Sequence, residues 1–363
     1  MRKFLLSIAL SFISVFLVMS AAWAREPATP EFTLQQAVDR ALEHSEAVKK
    51  AQYDVDRAYE LREFSYDDVK FVPQDNTASP EAEQNYIKFV TSDQNWQSAK
   101  KTYDTTKDSV VASVYQAYNA ILQAQDNVAL LEAQLKSNKE KLRIARIGYR
   151  VGTVNQSDLI QAETTAAGTE ASLTAARKAL DDAYQKFNNL VGLWPNDRPV
   201  LIEKPAVTPL VIDNLDTEVQ RAIETSPSVF LANMNIDLAK LKENLYFAGD
   251  RSAISEPYEA KEIDIEKANV SLQEAKEKLD KVVRTLYYSI LQYEEQYSGK
   301  LESKRMAEET LRVTKVKYEV GMATQAEVLA AEVALAQANK DLTDLACSHE
   351  MLTVYFRKPW TYS

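Results

Sequence analysis

The fold of this chain is decided by the stretch Tyr149-Arg150-Val151-Gly152-Thr153-Val154-Asn155-Gln156-Ser157-Asp158-Leu159, which interrupts two long helical patterns. It recurs as Tyr318-Glu319-Val320-Gly321-Met322-Ala323-Thr324-Gln325-Ala326-Glu327-Val328, 169 positions later. At that offset the tyrosines, first valines, glycines and glutamines coincide, and a carboxylate follows six residues after each glycine. A turn that recurs together with its flanks indicates an internal duplication.

Each copy is predicted to reverse the direction of a helix. Gly152 and Gly321 supply the left-handed position that ends a helix. Thr153 or Asn155 in the first copy, and Thr324 in the second, can cap the helix that follows. An ordinary helix-ending glycine would explain either copy alone, but two copies with shared flanks favour the tips of two antiparallel helical hairpins.

The helices on either side of these turns carry coiled-coil patterns. Apolar residues recur every seven positions before the first turn, which predicts a helix over Trp96–Arg150, about 80 Å long at 1.5 Å per residue. A second long helix is predicted over Ala260–Glu319, although Lys304 falls on its apolar seam. Alanine-rich helices return over Gln156–Leu190 and Gln325–Phe356, where alanine either permits close packing or simply favours helix. The first seam comprises Val114, Ile121, Val128, Leu135, Leu142 and Tyr149, and its counterparts in the second half include Val283, Ile290, Leu311 and Tyr318.

The two halves also open alike, but at an offset of 181, where Leu42-Glu43-His44-Ser45 matches Ile223-Glu224-Thr225-Ser226. The second half is therefore shorter between its opening helices and its turn, by the difference between the two offsets (181 − 169). The first half carries an irregular insert there, over residues 64–95. Short β segments are predicted in it at Tyr66–Val72 and Tyr86–Thr91.

These patterns predict a mainly all-α fold of long antiparallel coiled-coil hairpins in two structural repeats. Residues 1–24 have the cationic start, apolar core and A-x-A cleavage site of a secretory signal peptide. The first repeat is predicted over 25–192 and the second over 217–363. Residues 193–216 contain four prolines and are predicted to form an extended connector.

Composition excludes several classes of function. Without the signal peptide the chain has 41 basic and 53 acidic residues, and a net charge of −12 argues against nucleic acid as a partner. Cys347 lies in an apolar helical pattern, which indicates packing rather than nucleophilic chemistry. His44 and His349 have no clustered metal-binding partners. No enzymatic activity, metal site or cofactor is predicted.

The signal peptide, the two repeats, the long helices and the repeated Tyr-x-Val-Gly turn together resemble the outer membrane efflux protein (TolC-like) family. The resemblance covers nearly all of the mature chain. It implies a homotrimeric helical tunnel that works with a periplasmic adaptor (membrane fusion) protein and an inner-membrane pump. It also implies a location in the periplasm or the outer membrane.

The resemblance further implies roles for the two turns. The tips that dock the adaptor and narrow the tunnel would contain Tyr149, Val151, Gly152, Tyr318, Val320 and Gly321. Asp158 and Glu327 would be acidic residues of the tunnel entrance, whereas an arginine that closes relatives at this place is replaced by Ala323. A simpler interpretation is that both acids stabilise the start of a helix.

One departure from the family pattern concerns the membrane. A spanning β-strand needs about 9–11 residues, and the loop of the second half is too short for a spanning hairpin. We therefore expect a divergent member with reduced β-barrel segments. The predicted function is a passive efflux duct component of a tripartite export system. The alternative is a non-transporting periplasmic coiled-coil scaffold that has lost the barrel.

Overall fold

The structure, a computed structural model, describes residues 27–73, 80–246 and 257–362. The predicted signal peptide lies outside these residues. Within them the chain is almost entirely helical, which confirms the predicted fold class. The helices are α1 (Leu34–His44), α2 (Glu46–Asp67), α3 (Pro80–Arg150), α4 (Gln156–Val191), α5 (Leu215–Thr225), α6 (Pro227–Tyr246), α7 (Tyr258–Glu319) and α8 (Gln325–Arg357), with a final 3-10 turn (Pro359–Thr361) and two short strands, β1 (Glu31–Phe32) and β2 (Val200–Leu201).

The β segments predicted at Tyr66–Val72 and Tyr86–Thr91 are wrong. Helix α2 continues to Asp67, and residues 86–91 belong to α3, which has 71 residues and begins well before the predicted Trp96. The aromatic residues that suggested strands instead form a seam between α2 and α3. The rings of Tyr66 and Phe89 lie 5.5 Å apart, those of Tyr59 and Trp96 lie 5.6 Å apart, and the Arg62 guanidinium lies over both α3 rings.

Two long helices, α3 and α7, run through the molecule, and the shorter helices pack along them. At the end that carries the glycine turns, the helices pack in the order α4, α3, α8, α7. Towards the other end, α2 packs on α3 and α6 packs on α7 and α3. There the Gln94 side-chain amide donates to the Met234 carbonyl at 2.7 Å, joining α3 to α6.

Two hydrophobic cores hold the opening helices against the long ones. The first lies among β1, α1, α3 and α4, and the second lies among α5, α7 and α8. Both are built from residues that correspond in the two halves. The corresponding buried pairs are Val114 and Val283, Ile121 and Ile290, and Phe187 and Phe356 at the offset of 169, with Val38 and Val219, and Ala41 and Ala222, at the offset of 181.

The segment between α4 and α5 is extended and is tied to the first core. Strand β2 within it pairs in parallel with β1. The Asp197 carboxylate accepts from the Ala28 backbone N–H at 2.8 Å. The Tyr118 hydroxyl donates to the Glu203 carbonyl and accepts from the Glu203 N–H, each at 3.0 Å. These contacts fix the course of the connector over α3.

Polar side chains are buried where α8 passes between α3 and α7. Towards α3, Asn119 donates to the Glu350 carboxylate at 2.8 Å, and burial raises the pKa of Glu350. Towards α7, His349 lies 3.2 Å from the Glu294 carboxylate. Burial raises the pKa of the Cys347 thiol to about 12, so it stays protonated, and its burial confirms the predicted packing role.

Candidate functional site

The first turn reverses the chain between α3 and α4. Gly152 has φ 76°, in the left-handed region that favours glycine. The N–H groups of Thr153 and Val154 both donate to the Gly148 carbonyl, at 2.9 and 3.3 Å, and so satisfy the end of α3. Of the two predicted caps, Asn155 is the one that caps α4, because its side chain accepts from the Asp158 N–H at 2.8 Å.

The second turn, between α7 and α8, has the same backbone. Gly321 also has φ 76°, and the Met322 N–H donates to the Lys317 carbonyl at 2.7 Å. Thr324 caps α8 as predicted and forms a capping box with Glu327, whose carboxylate accepts from the Thr324 N–H at 2.6 Å. This backbone hydrogen bond, with that of the Thr324 hydroxyl, lowers the pKa of Glu327.

Both turns present apolar side chains to solvent. Val151 is 67% exposed and Val320 is 64% exposed, while Tyr149 and Tyr318 are each 45% exposed. Met322, which has no apolar equivalent in the first turn, is 77% exposed. Each tip therefore has an exposed apolar surface on a backbone that is fixed by a cap and a glycine.

Ion pairs behind each turn repeat as well, and sequence reasoning missed them. Arg146 lies 3.1 Å from Glu163 across the first hairpin, and Lys315 lies 3.8 Å from Glu332 at the corresponding positions of the second. On the surfaces of the long helices, two further glutamate–arginine pairs correspond. They are Glu140 with Arg143 and Glu309 with Arg312. A comparison of the charged residues that lie 169 positions apart would have identified both sets of ion pairs from the sequence.

The two turns lie at the same end of the molecule, but not at the same level. The Lys136 ammonium lies 3.1 Å from the Glu332 carboxylate, which joins the two hairpins. Counted in residues, the distance from Lys136 to the end of α3 is about twice the distance from the start of α8 to Glu332. At about 1.5 Å per residue, the first tip therefore extends about 10 Å beyond the second.

The tips differ in how tightly they close. A Cβ on Gly148 would lie 2.5 Å from Cγ2 of Val154, so the first turn is built around the absence of a side chain there. The corresponding residues of the second turn are Lys317 and Ala323, a long side chain beside a small one. The first tip is therefore the more closely packed of the two.

The two predicted acidic residues occupy the first turns of α4 and α8. Glu327 is held by the capping box, whereas the Asp158 backbone N–H, rather than its carboxylate, makes the capping contact. Both side chains are exposed. No group of three histidine, cysteine, aspartate or glutamate side chains within the described ranges is arranged to hold a metal ion.

Residues 91–193, which comprise most of α3 and all of α4 with the first tip between them, match the model of the outer membrane efflux protein family. This is a family of efflux proteins rather than of enzymes. The chain is also similar to outer membrane protein TolC of Vibrio cholerae, with 21% identity over 46% of this chain and 38% of that protein. It is 28% identical to the protease secretion protein PrtF of Dickeya chrysanthemi over 40% of this chain and 30% of that protein.

The chain therefore spans well under half the length of these curated relatives in the aligned segments. Its fold is similar over most of its length to solved structures. The Campylobacter jejuni CmeC outer membrane channel superposes with a TM-score of 0.66 at 13% identity, covering 94% of this chain and 90% of that one. At such low identity the likeness concerns the fold alone.

Proposed function

We propose that this chain, which its family match and its fold support as a TolC-like outer membrane efflux protein, is the duct subunit of a tripartite export system. In this proposal the two glycine tips dock a periplasmic adaptor protein, and an inner-membrane pump supplies the energy. The duct itself is passive and performs no chemistry. The observation that carries the proposal is the pair of rigid, apolar, solvent-facing tips at one end of the helical layer.

The tips suit a helical partner. Val151 and Val320 stand on turns whose backbone hydrogen bonds are satisfied, so binding costs little additional ordering. Antiparallel helices of an adaptor could pack their apolar seams against these side chains, as in other helix-in-groove contacts. The stagger of the tips, about 10 Å from the rise of a helix, presents them as two separate steps to such a partner.

A closed tunnel requires further copies of the chain, and we propose a homotrimer. The layer α4, α3, α8, α7 has two edges, formed by α4 and α7. Large apolar side chains remain exposed on both, including Ile160 on α4 and Met306 on α7. A heterologous contact between the α4 edge of one copy and the α7 edge of the next would close a ring.

The acidic residues have two proposed roles. Glu327 stabilises the start of α8 through its capping box, and Asp158 adds a negative charge to the N-terminus of α4. In a ring of copies the same carboxylates would surround the tunnel entrance and favour the passage of cations over anions.

The proposed location is the outer membrane, with the helical body in the periplasm. The name of the matching family, the name of the TolC relative and that of the solved CmeC channel support an outer membrane location. Within the described residues, no helix is both long enough and apolar enough to cross a membrane.

The proposal is tested by placing charges on the tips. The double variant Val151→Asp and Val320→Asp should abolish binding of the adaptor's helical hairpin domain, measured by biolayer interferometry with the purified mature protein. When the double variant is expressed in a strain that lacks the wild-type gene, the strain should stay as drug-sensitive as it is without any copy of the gene. Val211→Asp is the matched control, because Val211 is 87% exposed in the connector, away from the tips, and should retain both activities.

Unchanged adaptor binding in the double variant would contradict docking at the tips. If deletion of the gene left drug susceptibility unchanged and the purified protein were monomeric, the duct proposal would fail as a whole. That outcome would favour the periplasmic coiled-coil scaffold.

A further inference from the structure

A cavity of about 300 Å³ lies between α3, α7, α8 and the connector, well behind the tips. Three charged side chains line it: Asp126 from α3, Lys304 from α7 and Lys204 from the connector. Tyr297 of α7 and Asn339 of α8 add a phenol and an amide. Each of the three helices thus contributes a polar group to one cavity, which is partly open to solvent on the side of the exposed Lys204.

The two repeats differ at the residues by which α7 lines this cavity. Tyr297 and Lys304 occupy successive positions of the heptad seam on α7. Their counterparts on α3, 169 positions earlier, are Val128 and Leu135, which are aliphatic as a coiled-coil seam requires. If these two positions of the second hairpin only packed against neighbouring helices, aliphatic residues would fill them as they do in the first hairpin. The second hairpin therefore has two polar seam residues at a cavity where the first hairpin has aliphatic ones.

The charges around the cavity are not neutralised by one another. Within residues 27–73, 80–246 and 257–362, the side chains of Asp126 and Lys204 form no hydrogen bond or ion pair. The Lys304 ammonium has one weak contact, 3.9 Å from the Glu308 carboxylate on its own helix. The Lys304 side chain is 33% exposed, and its ammonium group has no closer carboxylate partner among the described residues.

We propose that this cavity binds a small amino dicarboxylate. Two ammonium groups and one carboxylate are the charge complement of a molecule with two carboxylates and one ammonium group. Charge-assisted hydrogen bonds from Lys204 and Lys304 hold the ligand's carboxylates, and Asp126 accepts from its ammonium group. Small-molecule sites begin at about 300 Å³, so the cavity suits a ligand the size of an amino acid. The site does not depend on the proposed export function.

L-glutamate is the probe for this site, titrated calorimetrically into the full mature protein. Glutarate lacks the ammonium group and L-glutamine lacks one carboxylate, so both should bind at least about tenfold more weakly. Lys304→Leu introduces the residue of the first repeat and should weaken L-glutamate binding by a similar factor. Arg305→Leu is the matched control, since the neighbouring Arg305 side chain is 80% exposed, and it should bind L-glutamate like the parent protein.

Asp126→Asn provides a second variant with nearly unchanged shape. It should lower the affinity for L-glutamate, whose ammonium group loses its partner, and should not lower that for glutarate, which loses only the repulsion of the Asp126 carboxylate. Circular dichroism melting confirms that each variant is folded. The proposal is overturned if L-glutamate produces no saturable heat at millimolar concentration, if glutarate binds equally well, or if Lys304→Leu retains full affinity.

Discussion

The two helical hairpins, α3 with α4 and α7 with α8, share the backbone of their tips and several residues of their cores, and they differ most along the seam between. Their tips share a left-handed glycine at φ 76° and an exposed valine, and their cores share buried Val, Ile and Phe residues at equal spacing. Midway, the aliphatic seam of the first hairpin gives way to Tyr297 and Lys304 in the second. The positions that end the helices and fill the cores thus have the same residue types in both hairpins, whereas the seam between them is aliphatic in one hairpin and polar in the other.

The largest effect is expected in the cores. Ile121 and Ile290 correspond in the two hairpins and are both fully buried. Ile121→Ala and Ile290→Ala should each lower the free energy of unfolding by about 2–5 kcal/mol, because each removes buried methyl groups and leaves a cavity. Urea denaturation followed by circular dichroism measures the loss.

Ile202→Ala is the control for both variants, since Ile202 is 54% exposed in the connector and its truncation should change stability little. A negligible loss at either buried isoleucine would show that the two cores do not contribute alike.

A smaller effect is expected at the tips, where the hairpins differ in packing. Gly148→Ala should loosen the first tip, because its Cβ would lie 2.5 Å from Cγ2 of Val154. Overpacking lowers the free energy of unfolding by about 1–3 kcal/mol, and the better helix propensity of alanine offsets up to about 1 kcal/mol of that loss. Hydrogen–deuterium exchange of the amides of residues 148–156 should therefore become faster.

Adding Val154→Ala, the residue that the second tip has at this position, should restore slow exchange. Gly168→Ala is the matched control, because a Cβ there has no atom within 4 Å and the substitution should stabilise α4. If Gly148→Ala left exchange at the first tip unchanged, the proposed difference in packing between the tips would be incorrect.

The smallest effect is expected from acid at the second tip. The pKa of Glu327 is lowered in the folded protein by its hydrogen bonds to Thr324. Its contribution to stability is therefore present above the ordinary pKa of glutamate and is lost as pH falls through the lowered folded value. The protection factors of the amides at the start of α8, which correct for the fall of the intrinsic exchange rate with pH, should decrease over that acidic range.

Glu327→Gln should remove this pH dependence while keeping the cap, because Gln36 already serves in the equivalent capping box with Thr33 at the start of α1. Acid sensitivity that persisted in the variant would assign the effect to another group.

Much of the fold could be predicted because the relevant signals are local. The glycines, the caps and the heptad spacing fix where helices end and which face is apolar, and the return helices begin at the predicted Gln156 and Gln325. The errors arose where local composition was ambiguous. Tyr66 and Phe89 favour strands by propensity, yet they pair across two helices, and that pairing depends on a contact remote in sequence.

The sequence by itself determined the two hairpins, their tips and their duplication, because helix caps and seams act over a few residues along the chain. Only the tertiary structure decided that α8 packs between α3 and α7, that the tips are staggered, and that Lys304 faces Asp126 and Lys204 across a cavity. These features depend on side chains that lie far apart in sequence, on different helices and on the connector. Such groups come together through the packing of the long helices against one another, so the residue spacing within one helix does not predict their contacts.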